Sequence, residues 1–301
     1  MYAITGATGN IGNRAAEILL ARGEKVRVIG RDAAKLRMLV NKGAEAEVGD
    51  MKDVNFLVRA FTGVDAVFAM IPPNFAATNF RVYQNEIGTS IADAITKAGV
   101  KYVVNLSSQG AELPAGTGPI LGLRDQEMRL NELVGVNVLH LRPTYFMENL
   151  LMNIPLINEK GIAGSAVRGD QKFAMIATKD IAVRVAKHLV RRDFNGKKVE
   201  DLLGQRDLTL NEAIGIIGEE IGWTDLKYVQ FPYNEAAKAM EAMGISTDMS
   251  RRYIEMSKAL NDGLFAVNPP RTAENTTPTA IEEFAETFAV AFAATAQKKA
   301  A

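Results

Sequence analysis

The chain has 301 residues, 48% of them apolar, enough to bury a large core as one domain or as two unequal lobes. Its 35 basic and 35 acidic residues cancel and no Lys/Arg block stands out, which argues against nucleic acid or an anionic membrane as partner and for a small-molecule ligand. Cysteine is absent, which excludes disulfides, thiolate nucleophiles, Fe–S clusters and the usual zinc sites, so no metal is expected.

The N-terminus, MYAIT, enters a strand-like stretch without a charged leader, and no apolar run approaches the roughly 20 residues of a membrane span. A cytoplasmic protein with no membrane partner is the expectation. "YAIT", "KVRVIG", "AEAEV", "DAVFAM", "KYVVNLSS" and "VNVLHLRP" then read as strands separated by amphipathic helices, the longest helical stretch running from Asn74 to Ala98. That alternation predicts an α/β fold, a Rossmann-type doubly wound parallel sheet with helices on both faces. After Pro143 the rhythm loosens. Helices are expected over Phe146–Asn158, Lys179–Val190, Leu210–Ile221, Glu235–Met243 and Ser250–Leu260, with "DLLGQRDLTLNEA" as a strand, turn and helix start. A closing helix begins near Thr279 and is followed by a fraying "KKAA". The division expected is a core over residues 1–143 and a smaller, mostly helical C-terminal lobe over 144–301 that returns once to the sheet, leaving an interleaved boundary.

The loop "GATGNIG" after the first strand places Gly6, Gly9 and Gly12 in a GxxGxxG spacing, with Thr8, Asn10 and Ile11 between them and an amphipathic helix directly behind. Gly6 permits the tight turn, Gly9 lets the backbone approach a pyrophosphate, and Gly12 lets the helix pack close. The free N–H groups of the helix face the phosphates. This predicts a nicotinamide dinucleotide as cofactor, with no flavin.

The second strand ends in Gly30 and Arg31, where an NAD site usually places an acid against the ribose 2′-OH. Arg31 can stack on adenine and pair with a 2′-phosphate, and Lys35 one turn later adds charge, so NADP(H) is favoured over NAD(H). Asp32 is left open between capping the next helix and meeting the ribose. Past the third strand, Asp50 and Met51 stand where an acid can reach the adenine amino group, with helix capping as the alternative for Asp50. "AMIPPN" carries Ile71 and Pro72 past the nicotinamide ribose, and "NLSS" ends the fifth strand with Ser107 and Ser108 near the nicotinamide. His140 and His188 read as packing or surface residues, as do Phe146, Met147 and Met152 for the core.

"GATGNIG", the Arg after the second strand, "NLSS", "LRPTYFMEN" and the late "TTPTAIEEFA" together resemble the NmrA-like branch of the atypical short-chain dehydrogenases/reductases. The resemblance implies an NADP(H)-binding Rossmann lobe with a small C-terminal lobe closing a cleft over the nicotinamide. It implies relatives that include quinone and azo-dye reductases, isoflavone-type reductases and sensors that bind the dinucleotide without turnover. Active short-chain dehydrogenases use Tyr-x-x-x-Lys, in which the lysine lowers the phenol's pKa. Four residues beyond the seven tyrosines stand Gly6, Ile87, Leu106, Asn149, Pro232, Ala237 and Ser257, so the dyad does not exist here. The lysine that the family often places four residues before a glutamate is also replaced, by Leu123 if that glutamate is Glu127.

Without a proton donor, hydride transfer suits acceptors whose reduced forms are stable anions, which points to a quinone-like acceptor, and the first reading is an NADPH-dependent reductase of a planar, electron-poor quinone- or azo-like molecule. Tyr145 and Asn149, four apart at the start of the helix after "LRP", are the candidates for holding its oxygen from one helix face, with helix start and packing as their alternative role. Arg124 and Gln126 are weaker candidates. The second reading is a non-catalytic NADP(H)-binding redox sensor acting through a regulatory protein partner. Whether the chain forms a homodimer stays open.

Overall fold

The computed structural model describes residues 1–265 and 269–300, with side chains up to residue 295. The apolar runs of the first half form strands that alternate with helices: β1 (Tyr2–Ile4), α1 (Asn10–Ala21), β2 (Val26–Gly30), α2 (Ala33–Asn41), β3 (Glu45–Val48), α3 (Val54–Phe61), β4 (Ala66–Ala69), α4 (Phe80–Ala98), β5 (Tyr102–Leu106), α5 (Leu121–Asn131) and β6 (Asn137–Pro143). The second half holds β7 (Tyr145–Phe146), α6 (Ile154–Lys160), β8 (Ile162–Ser165), β9 (Phe173–Ile176), α7 (Thr178–Arg191), β10 (Lys197–Leu202), β11 (Asp207–Leu208), α8 (Leu210–Glu220), β12 (Lys227–Gln230), α9 (Tyr233–Ala242), α10 (Thr247–Asn261) and α11 (Ile281–Ala300).

Seven strands form one sheet in the order β10-β6-β5-β4-β1-β2-β3. Every residue of β1 and β4 is buried, as befits parallel strands covered on both faces. Parallel pairing sets Ile4 beside both Val28 and Phe68, and Ala69 beside Asn105. β10 joins β6 in the same sense, with the Val138 N–H on the Gly196 carbonyl (2.8 Å) and the Thr144 N–H on the Leu202 carbonyl (3.2 Å). This is the Rossmann-type sheet that the sequence rhythm predicts. Chain order reverses at β1, with β2 and β3 on one side and β4 to β6 on the other. Such a reversal opens a crevice at the strands' carboxyl ends.

Thr5 ties that crevice together. Its hydroxyl donates to the Phe68 carbonyl (3.0 Å) and accepts the Met70 N–H (2.8 Å), locking the end of β1 to the end of β4.

The chain divides into two compact units, one of residues Met1–Ala115, Pro119–Arg142 and Lys179–Glu200, the other of Gly116–Gly118, Pro143–Thr178 and Asp201–Ala301. The second unit contains two small sheets, β11-β9-β7 and β12-β8; the sequence suggests short strand-like pieces between the second-half helices but not their bounds or pairing. Their strands run two to four residues, too short to show a period. Its core joins Phe173 and Met175 of β9 to Leu210, Ile214 and Ile217 of α8 and Phe284 and Phe288 of α11.

Several expected boundaries move. α4 starts at Phe80 and not at Asn74, because the Asn79 side chain accepts the Val82 N–H (3.1 Å) and caps it, while Pro72 and Pro73 keep the preceding segment extended. The helix expected over 146–158 is a 3-10 stretch, Met147–Asn153, followed by α6. Pro155 sits in the first turn of α6, where its missing N–H costs nothing, and marks that restart. Met152, read as core, is 57% exposed on that 3-10 stretch. α11 is the longest helix at 20 residues and includes Lys298–Ala300, where fraying was expected; Ala301 lies outside the described residues. No described helix is long and apolar enough to cross a membrane.

His140 is 1% exposed between the side chains of Asn105 (3.1 Å from Nδ1) and Asn131 (3.0 Å from Nε2). Burial lowers its pKa from 6.5 to about 4, so the folded protein keeps a neutral ring. The unfolded chain takes up that proton near pH 6.5, so the stability that neutral His140 confers is full above this pH and is lost as pH falls towards about 4. The loss should amount to about 2–3 kcal/mol. Urea unfolding across this window should show stability falling with acid, with a shallower slope in His140→Gln.

Candidate functional site

The loop after β1 has the shape its glycines require. Gly6 has φ +63°, a left-handed turn that favours glycine, and a Cβ there would stand 2.2 Å from the sulfur of the flexible Met70 side chain, which would have to move. A Cβ at Gly12 would stand 2.4 Å from the Gly6 carbonyl oxygen, which shows how closely α1 lies on the loop. Gly9 differs. The nearest atom to its added Cβ is the Gly6 oxygen at 3.5 Å, an ordinary contact, so the protein itself does not require glycine there. Asp32, Asp53 and Asn79 cap α2, α3 and α4, whereas α1 begins behind Gly9 with no side-chain cap and no acid in its first turn. The N–H groups of Asn10, Ile11 and Gly12 precede the first helical bond, made by Asn13 to the Gly9 carbonyl. Thr8, Gly9 and Asn10 are exposed beside them. A diphosphate fits this cradle of bare N–H groups.

Next in the row comes the end of β2. The Asp32 carboxylate accepts the N–H groups of Ala34 (2.9 Å) and Lys35 (3.4 Å), so it caps α2. Arg31 and Lys35 remain exposed. At the end of β3, Asp50 accepts the Lys52 N–H (3.0 Å) in a turn, and the cap of α3 is Asp53, not Asp50. Met51 is buried. Past β4, Ile71 is buried and the Pro72 carbonyl accepts the Tyr83 hydroxyl (3.1 Å).

Tyr83 and Lys52 were not singled out in the sequence. Burial pushes the Tyr83 phenol up, and the charged groups acting on it are Arg31, Asp50 and Lys52. These three, from the ends of β2 and β3, therefore gather at one edge of α4. Lys52 lies 5.6 Å from the Tyr83 ring centroid and pairs with Glu86 (2.6 Å).

At the end of β5 the Ser107 hydroxyl, 2% exposed, donates to Glu127 (2.5 Å), and Ser108 turns to the Gln109 carbonyl (2.9 Å). Arg142 grips the Glu127 carboxylate with two nitrogens (2.9 and 2.6 Å) and reaches Glu112 (3.2 Å) with a third. Burial raises the Glu127 pKa, but the hydrogen bonds from Arg142 and Ser107 outweigh it and the carboxyl stays below its ordinary value. Glu127 thus binds β5, α5 and β6 together as an ion. Gln126 is buried and accepts the Arg129 guanidinium (2.7 Å), with Gly88 of α4 against its amide, so its side chain serves helix packing.

In the second unit Tyr145 and Asn149 do not share a helix face. Tyr145 is in β7, paired with Met175 of β9, and Asn149 is exposed on the 3-10 stretch that follows. The chain stays extended here because β7 has a sheet partner to complete, which the local sequence cannot reveal. The Tyr145 ring lies 5.2 Å from that of Phe173. Burial pushes its phenol well above the ordinary range. Among the described residues no group of three or more His, Cys, Asp or Glu side chains is placed to hold a metal.

The family model described as "NmrA-like family" matches residues 2–285. The NAD(P)H azoreductase of Xenophilus azovorans is 28% identical over 274 residues, covering 90% of this chain and 88% of that protein. Quinone oxidoreductase 2 of Escherichia coli is 27% identical over 250 residues, covering 81% and 82%. Among solved structures, the triphenylmethane reductase of Citrobacter sp. complexed with NADP(H) superposes with a TM-score of 0.78 at 19% identity, covering 96% of this chain and all of that one (100%). The NADPH-dependent quinone oxidoreductase of Escherichia coli complexed with NADPH gives 0.74 at 23% identity, covering 95% and 99%. These two likenesses are of fold. With its glycine loop, its seven-stranded sheet and a family match across nearly its whole length, the chain belongs to the NmrA-like family.

Proposed function

We propose that the protein is an NADPH-dependent oxidoreductase that reduces a planar, electron-poor small molecule of quinone or azo type. The observation that carries this reading is the unbroken row of loops at the carboxyl ends of β3, β2, β1, β4 and β5, with an uncapped helix start at its centre and Arg31 at the end of β2. The azoreductase and quinone oxidoreductase among its relatives support it.

When bound, the cofactor supplies a hydride from its reduced nicotinamide. The chain's part is to hold and orient. Gly6, Thr8, Gly9 and the N–H groups of Asn10, Ile11 and Gly12 take the diphosphate. Arg31, assisted by Lys35, takes the 2′-phosphate, since Asp32 is committed to its helix. Asp50 and Met51 border the adenine, Ile71 and Pro72 the nicotinamide ribose, and Ser107 and Ser108 the nicotinamide. No tyrosine has a lysine four residues on, so no side chain is tuned to protonate an alkoxide. A quinone needs none, because its reduced oxygen is a delocalised weak base that water protonates. Quinone, NADPH and one proton give hydroquinone and NADP+. Tyr145, kept protonated by burial, donates a hydrogen bond to the acceptor and retains its proton, with Asn149 as a second polar contact.

Three measurements test this. NADPH should bind tenfold to a hundredfold more tightly than NADH, since an arginine–phosphate pair contributes about 1.5–3 kcal/mol, and Arg31→Ala should erase most of the difference in calorimetry. Equal binding by the native protein would refute the 2′-phosphate role. Gly9→Val should lose NADPH binding with its urea midpoint intact, whereas Gly12→Ala should lose about 1–3 kcal/mol of stability, because only Gly12 is closed in by backbone. Quinones should be turned over far faster than aliphatic ketones, for which a missing general acid costs about 10²–10⁴-fold, and Tyr145→Phe should slow quinone reduction only modestly. Rapid ketone reduction abolished by Tyr145→Phe would show that this phenol is an acid after all. Tight NADPH binding without turnover of any quinone or azo compound would favour a dinucleotide sensor.

A further inference from the structure

Two loops of the first unit, after β3 and after β4, are held by one face of α4. The loop from β4 to α4 runs through Pro72 and Pro73, which have no N–H to donate, so its backbone can be hydrogen-bonded there only through its carbonyls. The Tyr83 hydroxyl, from the first turn of α4, donates to the Pro72 carbonyl (3.1 Å). Tyr83 is 8% exposed, and burial pushes its phenol up, so the proton that this bond needs stays in place. Asn79 fixes where the helix starts, and hence where Tyr83 stands, by accepting the Val82 N–H (3.1 Å).

The loop from β3 to α3 is held further along the same helix. Ser90, two turns beyond Tyr83 and buried, donates to the Lys52 carbonyl (3.0 Å). Lys52 is held at its other end as well, where its ammonium meets Glu86 (2.6 Å) and lies 5.6 Å from the centroid of the Tyr83 ring. Residues 83, 86 and 90 have the i, i+3, i+7 spacing of a single helix face. Such anchoring bears on affinity, because a loop that visits its binding conformation for only part of the time weakens the apparent affinity by that fraction.

From this arrangement we infer that Tyr83 and Ser90 are positioning residues that divide the dinucleotide between them, Tyr83 setting the β4 loop for its nicotinamide half and Ser90 setting the β3 loop for its adenine half. The inference rests on the reading above in which Ile71 and Pro72 border the nicotinamide ribose and Asp50 and Met51 the adenine. Each hydroxyl has given its one proton to a backbone carbonyl, so each acts on the cofactor through the loop it holds.

The test compares NADPH with adenosine 2′,5′-bisphosphate, which carries the adenine and the 2′-phosphate but no nicotinamide, by calorimetry on the full chain. Tyr83→Phe and Ser90→Ala each delete one oxygen, and the first keeps the ring beside Lys52, so both variants should retain the native circular dichroism. Tyr83→Phe should weaken NADPH by about threefold to tenfold, the usual effect of one hydrogen bond, and leave the bisphosphate within about twofold of its native affinity. Ser90→Ala should weaken both ligands by one common factor in the same range. A face of α4 that served the fold alone would give no such split. Equal losses for the two ligands in Tyr83→Phe, or an unchanged NADPH affinity, would overturn the role of Tyr83, and an unchanged bisphosphate affinity in Ser90→Ala would overturn that of Ser90. A native protein that binds NADPH but not the bisphosphate would overturn the division into halves and leave the reductase reading standing. A native protein that binds neither would overturn both.

Discussion

The first turn of α1 rests on the backbone of Gly6, with so little space that a single carbon at Gly12 would meet the Gly6 oxygen at 2.4 Å. Much else in the first unit follows from this approach. It requires Gly6 to turn with positive φ, and it carries the bare N–H groups of Asn10, Ile11 and Gly12 to the end of β1, where the sheet reverses its order. Thr5 holds the same point from below by bonding both Phe68 and Met70 of the neighbouring strand. With β1 and β4 locked in register, the loops after β2, β3 and β5 are carried to the same edge. The close approach of one helix to one turn thus sets the shape of this edge of the sheet.

The polar groups buried behind that edge are committed to structure. Glu127, in the position that the family resemblance marks for a glutamate, is an ion held by the Arg142 fork and by Ser107, and it joins two strands and a helix. His140 is held neutral between two asparagines. Removing either partner from such an arrangement would strand a buried polar group, which is why these residues describe the scaffold and not the chemistry. The proposed reaction must then draw its ease from the acceptor, whose reduced form is a weak base, and from placement.

The two units offer contrasting surroundings. Charged side chains, Arg31, Asp50 and Lys52, gather about Tyr83 in the first, as suits a phosphorylated ligand. In the second, Tyr145 and Tyr228 pack on an apolar core that includes Phe173.

Much of this was legible in the residues. Most strands of the main sheet announce themselves because buried parallel strands must be apolar on both faces, the exposed edge strand β3 by its alternation of Glu with apolar residues, and the GATGNIG loop because glycine suits the turn at Gly6 and the close backbone contact at Gly12. The absence of Tyr-x-x-x-Lys is a matter of counting. Three kinds of feature were decided only by the folded chain. Asp32 was free in the sequence to cap or to bind ribose, and the N-terminus of α2 claimed it. Tyr145 and Asn149 looked like neighbours on a helix, but β9 offers Tyr145 a strand partner, and pairing across some thirty residues overrides a local helical pattern. Tyr145 and Tyr228 lie too far apart in the chain for any spacing rule to join them. They pack on one apolar core, and contact of that kind exists only in three dimensions.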